Sequence, residues 1–541
     1  MTMLPGTVLA YHERSKHALQ RYAAGPQTLD WDSQPDPFRH WAGAPVTALP
    51  LVADTVPTCW RQLLDGSVPA YPMSLHSLAA LFELSFGLTA WKQSGPDRWA
   101  LRANPSSGNL HPTEAYAIAR GVAGLTDGLY HYEPREHALV RRAHTPHGPA
   151  GATPGLWIGL STIHWREAWK YGERAFRYCQ LDVGHALGAL RFAAAALGWQ
   201  ARVVPQIGHA RLRGLLGLDR ATDFAQAEPE EPELLVQLGP ALPRSPAEPP
   251  AWVDDTRWQG RANCLGPRPM YRWPVISEVT AATRAWDPAM SSFPATGAGG
   301  EHGSIHDSLP VATLIRQRRS AQQFDRRASM SRASFLRIAR ATMLGGLPWD
   351  AWPHPPRVHA VFYVNRVAGI EPGALILPRS PSGAALLATT LQSGYAWQPV
   401  ADAPGDMPLH RLAENPALAG TLRTLSCHQA IASDACLTLS LIAECDDAWD
   451  QSPWCYRALF QEAGLLGQSL YLNAEAEGLR GTGIGCYFDD AVHELLGMRG
   501  QRLQVLYHFT IGVALPDTRC VIEPPYSDRA PVNLSNDAHH E

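Results

Sequence analysis

The residues with the densest chemistry are Arg102-Ala-Asn-Pro-Ser-Ser-Gly-Asn-Leu-His-Pro-Thr-Glu-Ala-Tyr116. Pro105, Ser106, Ser107, Gly108 and Asn109 form a compact turn, because proline fixes one φ angle and glycine allows a close backbone approach. Two hydroxyls and an amide then point outward from a rigid loop. The run Ala115-Tyr-Ala-Ile-Ala119 behind it reads as a buried strand. Such a loop suits the heteroatom-rich edge of a flat ligand, although composition alone equally allows an ordinary Pro/Ser/Gly turn. The 22 histidines prompt a search for metal ligands. His12-Glu13 followed by His17 spells HExxxH, which does not bring two imidazoles onto one helix face as HExxH does. The acidic group Asp446, Asp447 and Asp450 reads as a solvated loop. No metal is expected.

The elements that must position this loop belong to a long chain. At 541 residues, two or three domains are expected, and 45% hydrophobic residues supply a sizeable core. A net charge of −4 gives no electrostatic case for nucleic acid or an anionic membrane. The nine cysteines are scattered, contain no CxxC pair and read as reduced thiols of a cytoplasmic protein. The opening residues lack the pattern of a signal peptide, and no apolar run reaches the ~18 residues of a membrane span.

Residues 1–45 read as a short helix from Tyr11 to Tyr22 followed by an extended, Pro-spaced wrap. Ser74 to Phe86 is predicted helical, with Ser74 as N-cap and Gly87 as stop. Strands follow at 115–120, Gly128–Tyr132 and Trp157–Ser161, then a long helix from Glu173 to Leu197 closed by Gly198, and strands from Gln200 and Glu233. The segment to residue 305 is rich in Pro, Ala and Gly and reads as a connector. A second series then begins: helices Val311–Arg318 and Ser334–Leu344, strands Val358–Val364 and Leu437–Ile442, a helix Tyr456–Glu477, a loop Gly481–Gly485 and a strand Gln504–Gly512.

The two series match. Arg120-Gly-Val-Ala-Gly-Leu-Thr-Asp-Gly128 resembles Asn365-Arg-Val-Ala-Gly-Ile-Glu-Pro-Gly373, with both glycine pairs 245 positions apart. In the long helices Arg177, Asp182, Gly184 and Gly198 stand opposite Arg457, Glu462, Gly464 and Gly478, each 280 positions on. The chain therefore reads as a tandem duplication whose long helices pack on each other as two subunits of a homodimer would.

In this order the motifs resemble the FMN-dependent nitroreductase superfamily in a fused two-domain form. The first half is similar to the SagB/ThcOx azoline oxidases. The quoted residues are the Pro-Ser-Ser-Gly-Asn loop, Lys170-Tyr171, Arg177-Tyr178, Arg318-Arg-Ser-Ala-Gln-Gln-Phe324, Gly481-Thr-Gly-Ile-Gly-Cys-Tyr-Phe-Asp489 and Glu494-Leu-Leu-Gly497. The resemblance implies an α+β fold, two nitroreductase-like domains with mostly antiparallel sheets flanked by helices, packed as an intramolecular pseudo-dimer. The expected boundaries are 1–255, a linker at 256–305, and 306–530.

It also implies FMN in one composite site. Arg102, Pro105, Ser106, Ser107 and Asn109 would come from the first half, and Arg318, Arg319, Ser320, Thr482, Gly483 and Arg519 from the second. A flavin phosphate wants charge-assisted donors, and Arg318, Ser320 and Arg519 are placed to supply them. Without the resemblance, the same residues also allow a helix-end salt-bridge cluster. Gln322 departs from the superfamily's usual basic residue. The mirror-image site looks incomplete: Leu344-Gly-Gly-Leu-Pro-Trp349 replaces the Pro-Ser-Ser-Gly-Asn loop, and Arg14-Ser-Lys16 stands where Arg-Arg-Ser would be. One FMN per chain is expected.

Lys170 and Tyr171 resemble the catalytic Lys–Tyr pair of the azoline oxidases. Unperturbed, they titrate near ~10.4 and ~10, so one must be tuned, and Arg174 or Arg177 is a candidate to lower the tyrosine. They also allow a reading as a surface lysine and a helix-start aromatic. The expected activity is azoline-to-azole dehydrogenation of a peptide-derived or small substrate. The alternatives are an NAD(P)H-dependent nitro- or quinone reductase and a flavin-free scaffold of a peptide-modifying complex. A cyclodehydratase is the implied protein partner.

Overall fold

The computed structural model describes residues 7–144, 154–243, 255–267, 270–284, 304–401, 403–445 and 452–527, with a few isolated positions between and beyond them. The acidic group at 446, 447 and 450 and the glycine-rich end of the connector at 294–300 lie outside the described residues.

In the first half, Ser74 accepts a bond from Ser77 N and caps helix α1 (Leu75–Ser85). A hairpin that periodicity missed follows, β1 (Leu88–Ser94) and β2 (Asp97–Arg102), and β2 delivers the chain to the 105–109 loop. Then come β3 (Thr113–Arg120), β4 (Gly128–Glu133), β5 (Ala138–His144) and β6 (Gly155–Thr162). Helix α2 (His164–Tyr171) leads into α3 (Ala175–Ala196), followed by β7 (Gln200–Val203) and β8 (Glu231–Gly239). The second half repeats this plan. It contains α4 (Val311–Gln317), α5 (Arg332–Arg340), β9 (Val358–Val364), β10 (Gly373–Leu377), β11 (His410–Glu414), β12 (Leu437–Glu444) and α6 (Cys455–Ala476). It closes with β13 (Arg480–Ile484), α7 (Asp489–Leu496), β14 (Leu503–Gly512) and β15 (Val521–Glu523).

The sheets have the same strand order, β5-β4-β3-β6-β8-β7 in the first half and β11-β10-β9-β12-β14-β13 in the second. Every pair in these two runs is antiparallel. Gly124 and Gly369 both take positive φ, 79° and 72°, in the equivalent hairpin turns, so the sequence match reflects one shared conformation.

Residues of both central helices, α3 and α6, are buried almost throughout, because each helix lies between its own sheet and the other half. They cross at the matched glycines. A Cβ on Gly184 would stand 2.9 Å from Gly464 Cα and collide with the Gln461 carbonyl. One on Gly464 would stand 3.0 Å from Gly184 Cα and collide with the Leu181 carbonyl. The halves thus form the expected intramolecular pseudo-dimer.

Arms from each end reach across. The N-terminal helix spans Thr7–Arg14, earlier and shorter than the Tyr11–Tyr22 helix that the sequence suggested. His12 and Lys16 bind Gln504 and Asp490 of the second half, at 2.9 Å each. Strand β15 pairs with β1 of the first half, and Tyr526 donates to Pro134 O at 2.9 Å. The connector is also structured in part: Pro274–Ala282 is a helix packed on the N-terminal helix. The expected loop at 481–485 is largely an edge strand, β13, paired with β14. Its glycines signal tight packing rather than irregular backbone. Among the described residues no helix is long and apolar enough to cross a membrane.

Replacing Gly184 or Gly464 by leucine forces the two backbones apart and is expected to cost about 3 kcal/mol or more. Chemical denaturation followed by circular dichroism checks this. Midpoints equal to wild type would show that the helices do not meet there.

Candidate functional site between the halves

The halves meet at the base of the 105–109 loop, where Arg318 Nη2 donates to Arg102 O at 3.0 Å. The loop is braced from within. Ser107 N and Oγ both donate to Asp182 Oδ1 at 3.0 Å. Asn109 Nδ2 donates to Ala100 O at 2.8 Å, and Ser106 Oγ accepts from His111 N at 2.8 Å. The expectation of outward-pointing hydroxyls is therefore corrected: these polar groups hold the turn in shape. The reason is that Gly108, Asn109 and His111 all have positive φ, a costly conformation that local hydrogen bonds must stabilise.

Aromatic side chains line the same place. A Cβ on Gly108 would sit 3.1 Å from Tyr171 Cζ and collide with its hydroxyl. Tyr171 packs edge-on against Tyr178 at 4.6 Å, and Tyr178 lies against Gly485, where a Cβ would come within 3.0 Å of Cδ1. Tyr507 fills the space over Gly483, and its hydroxyl bonds His185 Nε2 at 3.1 Å. These contacts join the end of β13 to the tyrosines of α2 and α3, so the loop, the tyrosines and the glycine strand form one wall.

The electrostatics single out Arg318. It is 3% exposed, and its Nε and Nη1 find no hydrogen-bond partner among the described residues. Its guanidinium lies 5.0 Å from the Tyr471 ring centre. Arg319 and Arg480 are close by, and burial together with these like charges pushes Arg319 down to about 10. The acid beside them, Glu475, is itself pushed up to about 7 by burial. Arg102 is likewise buried, its Nε is unpartnered, and burial pushes it down to about 10. Buried, unpaired donors with excess positive charge are costly unless an anion completes them. The residues present therefore fit the phosphate of a cofactor.

The other expected site residues divide. Arg319 spends its donors on Thr89 and on the Arg316 and Arg318 carbonyls. Ser320 and Gly483 N both bond the Tyr471 hydroxyl, at 2.8 and 3.0 Å. Thr482 Oγ1 donates to Ala321 O at 2.8 Å. Pro105 continues the chain from β2 into the braced turn. Arg519 is on the surface, 69% exposed and paired with Asp517 at 2.9 Å, so it is placed as a surface ion pair and not as a buried donor.

Lys170 and Tyr171 end α2. The idea that Arg174 or Arg177 lowers the tyrosine is corrected. Both guanidiniums pair with Asp489, at 3.0 and 2.7 Å, and burial raises Tyr171 well above its ordinary value. Lys170 moves the useful way: burial lowers it, and its Nζ stands 5.4 Å from the Tyr171 ring centre. Glu167, one turn earlier, is fully buried, and neither carboxyl oxygen has a partner among the described residues. Burial, then Asp182, raises it strongly. Glu167 escaped sequence reasoning, as did the bracing role of Asp182. For Asp182 the signal was a carboxylate in a largely apolar stretch of helix; Glu167, flanked by Arg166 and Lys170, gave none.

The mirror position is filled with protein. Ala201, Arg202 and Val203 stand 280 residues before Gly481, Thr482 and Gly483. Arg191, opposite Tyr471, pairs with Asp350 at 2.7 Å, and Trp349 is buried beneath Arg379. A cavity on that side is lined by Val203, His209, Glu233, Arg284 and Arg457. Its charges are already paired, Arg457 with Glu233 at 2.8 Å and both Arg284 and His209 with Glu231 at 2.7 Å.

The Nitroreductase family model matches residues 77–237 and 397–513, once in each half and just over half of the chain in all. The chain belongs to the nitroreductase family. The fold repeat in the second half begins earlier than the match, at α4. A crystal structure of a putative nitroreductase from Anabaena variabilis superposes with a TM-score of 0.68, covering 94% of this chain and 99% of that one. At 22% identity, that likeness speaks for the fold. The Methanocaldococcus jannaschii protein named Putative nitroreductase MJ1384 is 28% identical over 137 residues, 24% of this chain and 66% of that protein. The indigoidine synthase of Dickeya dadantii is 34% identical over 87 residues, 16% of this chain and 6% of that protein. The chain thus spans just under two thirds of the first curated relative and a small part of the second.

Asp182 supplies a test of the braced loop. Burial pushes it up to about 7 from 3.8, so its contribution to stability is full below pH 4 and is lost as pH rises through 7. Asp182→Asn removes this titration. Its melting temperature relative to wild type is expected to climb between pH 4 and pH 8, read by thermal scans at matched ionic strength. A constant difference would place Asp182 in contact with water.

Proposed function

We propose that this protein is an FMN-dependent oxidoreductase with one flavin per chain. Its reaction is dehydrogenation of a peptide-derived or small heterocyclic substrate, azoline to azole. The observation that carries the reading is the buried guanidinium of Arg318, two of its nitrogens unpartnered, at the junction of the halves and beside the braced loop. Arg318 and Arg102 would hold the phosphate. Bound flavin supplies a two-electron acceptor for hydride.

The chain's residues do the rest. The Asp182 brace fixes the loop against which Tyr171 packs, so the reacting ring meets a preset wall. Burial favours the neutral amine of Lys170, which can accept the proton of a ring carbon at Nζ. Tyr171 keeps its proton and acts as a hydrogen-bond donor toward a substrate heteroatom. Glu167, one turn from Lys170, works against this lowering, and burial in turn disfavours the charged form of Glu167.

Arg318→Ala is expected to raise the dissociation constant for FMN about tenfold or more, the worth of one or two charge-assisted hydrogen bonds. Fluorescence titration with free FMN measures it, and wild-type affinity would remove the phosphate seat. Lys170→Ala is expected to lower turnover of an azoline-containing peptide by about 10²-fold while flavin stays bound. In the wild type, kcat/KM should rise with pH until the lowered lysine is neutral. A Lys170→Ala enzyme with wild-type turnover would overturn the base assignment. Rapid bleaching of the flavin by NADPH, with no azoline oxidation, would instead favour a nitro- or quinone reductase.

A further inference from the structure

Two residues beyond the end of β13 stands Cys486, where the chain runs beside the segments that carry Cys427 and, through the His17–Phe488 bridge, His17. This approach is held by the backbone around it. Phe488 N donates to Leu425 O at 2.8 Å, and Gln429 Nε2 donates to Cys486 O at 3.3 Å. His17 Nδ1 accepts from Ala23 N at 2.8 Å, which puts the imidazole proton on Nε2. Arg174 donates through Nη2 to Gly485 O at 3.1 Å, bringing a guanidinium beside the sulfur. Neither cysteine is fully buried, whereas Cys179, Cys436, Cys445 and Cys455 are.

This is the setting of a reactive thiol and not of a structural one. The Cys427 contact, followed by the His17 bond and nearby Arg174, brings Cys486 down to about 5 despite burial. The same contact and burial push Cys427 up. One sulfur is thus prepared as nucleophile and its neighbour is kept as a thiol. Fifty-nine residues separate them, so no spacing rule could pair them.

We propose that Cys486 and Cys427 form a thiol–disulfide exchange site for small soluble disulfides of the glutathione type. The Cys486 thiolate attacks one sulfur of the disulfide; a new S–S bond forms, the old one breaks, and one small thiolate leaves and takes up a proton. Cys427 then gives up its proton and attacks the Cys486 sulfur, releasing the second small thiol. Two protein thiols are oxidised and one small disulfide is reduced to two thiols. The bond formed ties residue 427 to the segment that follows β13, next to the Gly485–Tyr178 contact of the candidate site.

The test uses the full chain and oxidised glutathione at pH 7, followed by alkylation and peptide mass spectrometry. A 427–486 cross-linked peptide that thiol reductant reverses is expected. Cys427→Ser should instead accumulate a glutathione adduct at Cys486. A wild-type protein that keeps the adduct and forms no cross-link would overturn the resolving role of Cys427. A second measurement needs no variant: at pH 6, iodoacetamide should alkylate Cys486 at least tenfold faster than the exposed Cys264. Equal or slower alkylation would overturn the nucleophile.

Discussion

The contact of Gly184 with Gly464 governs the arrangement of the molecule. Only hydrogen side chains let α3 and α6 touch backbone to backbone, and that approach brings the sheets behind them within reach of each other's loops. Gln461 Nε2 donates to Gln180 Oε1 at 2.8 Å beside the crossing, and His185 Nδ1 bonds Gln468 Oε1 at 3.4 Å, so these buried polar groups are satisfied. From this contact follow the crossed arms, with His12, Lys16 and His17 clamped on the second half and β15 on the first. The proximity of Arg318 to Arg102 is a third consequence of the same crossing.

A crossing between two units of the same strand order should create two equivalent places, and the chain has treated them unequally. On one side two glycines let Phe509 and Tyr507 pack directly on β13, and buried guanidiniums lack partners among the described residues. On the other, alanine and valine replace those glycines, and Arg191 and Arg457 are matched by carboxylates from their own surroundings. The difference is electrostatic as well as steric. One place is left short of negative charge, and the other is complete without a ligand. Asp182 and Glu462, equivalent in the repeat, record the same split. The first braces a glycine-containing turn, while the second accepts from the backbone of Arg357 and Val358 and pairs with Arg379.

Around the open place the acids are unusual. Asp182 and Glu475 are both pushed up to about 7 by burial, and Glu167 is raised further. Burial disfavours the charged forms of these acids, at a cost in stability. Such strained protonation belongs to places where proton traffic matters more than the last increments of stability. By contrast, Asp489 is held low by Arg174 and Arg177 and ties α7 to α3 and the N-terminal arm.

The duplication, the long helices and most of the strands were legible in the amino-acid order alone, because they rest on local periodicity and on glycines whose positive φ or close packing permits no substitute. Gly124 with Gly369 and Gly184 with Gly464 carried that information in their spacing. What the order could not show was which polar groups would find partners. Ser107 and Asn109 looked like ligand donors and turned inward, Arg319 and Arg519 were committed elsewhere, and Glu167 was left with no partner among the described residues. The Cys427–Cys486 contact was equally invisible. Hydrogen bonding and desolvation depend on neighbours tens or hundreds of residues away, and only the packed chain decides who those neighbours are.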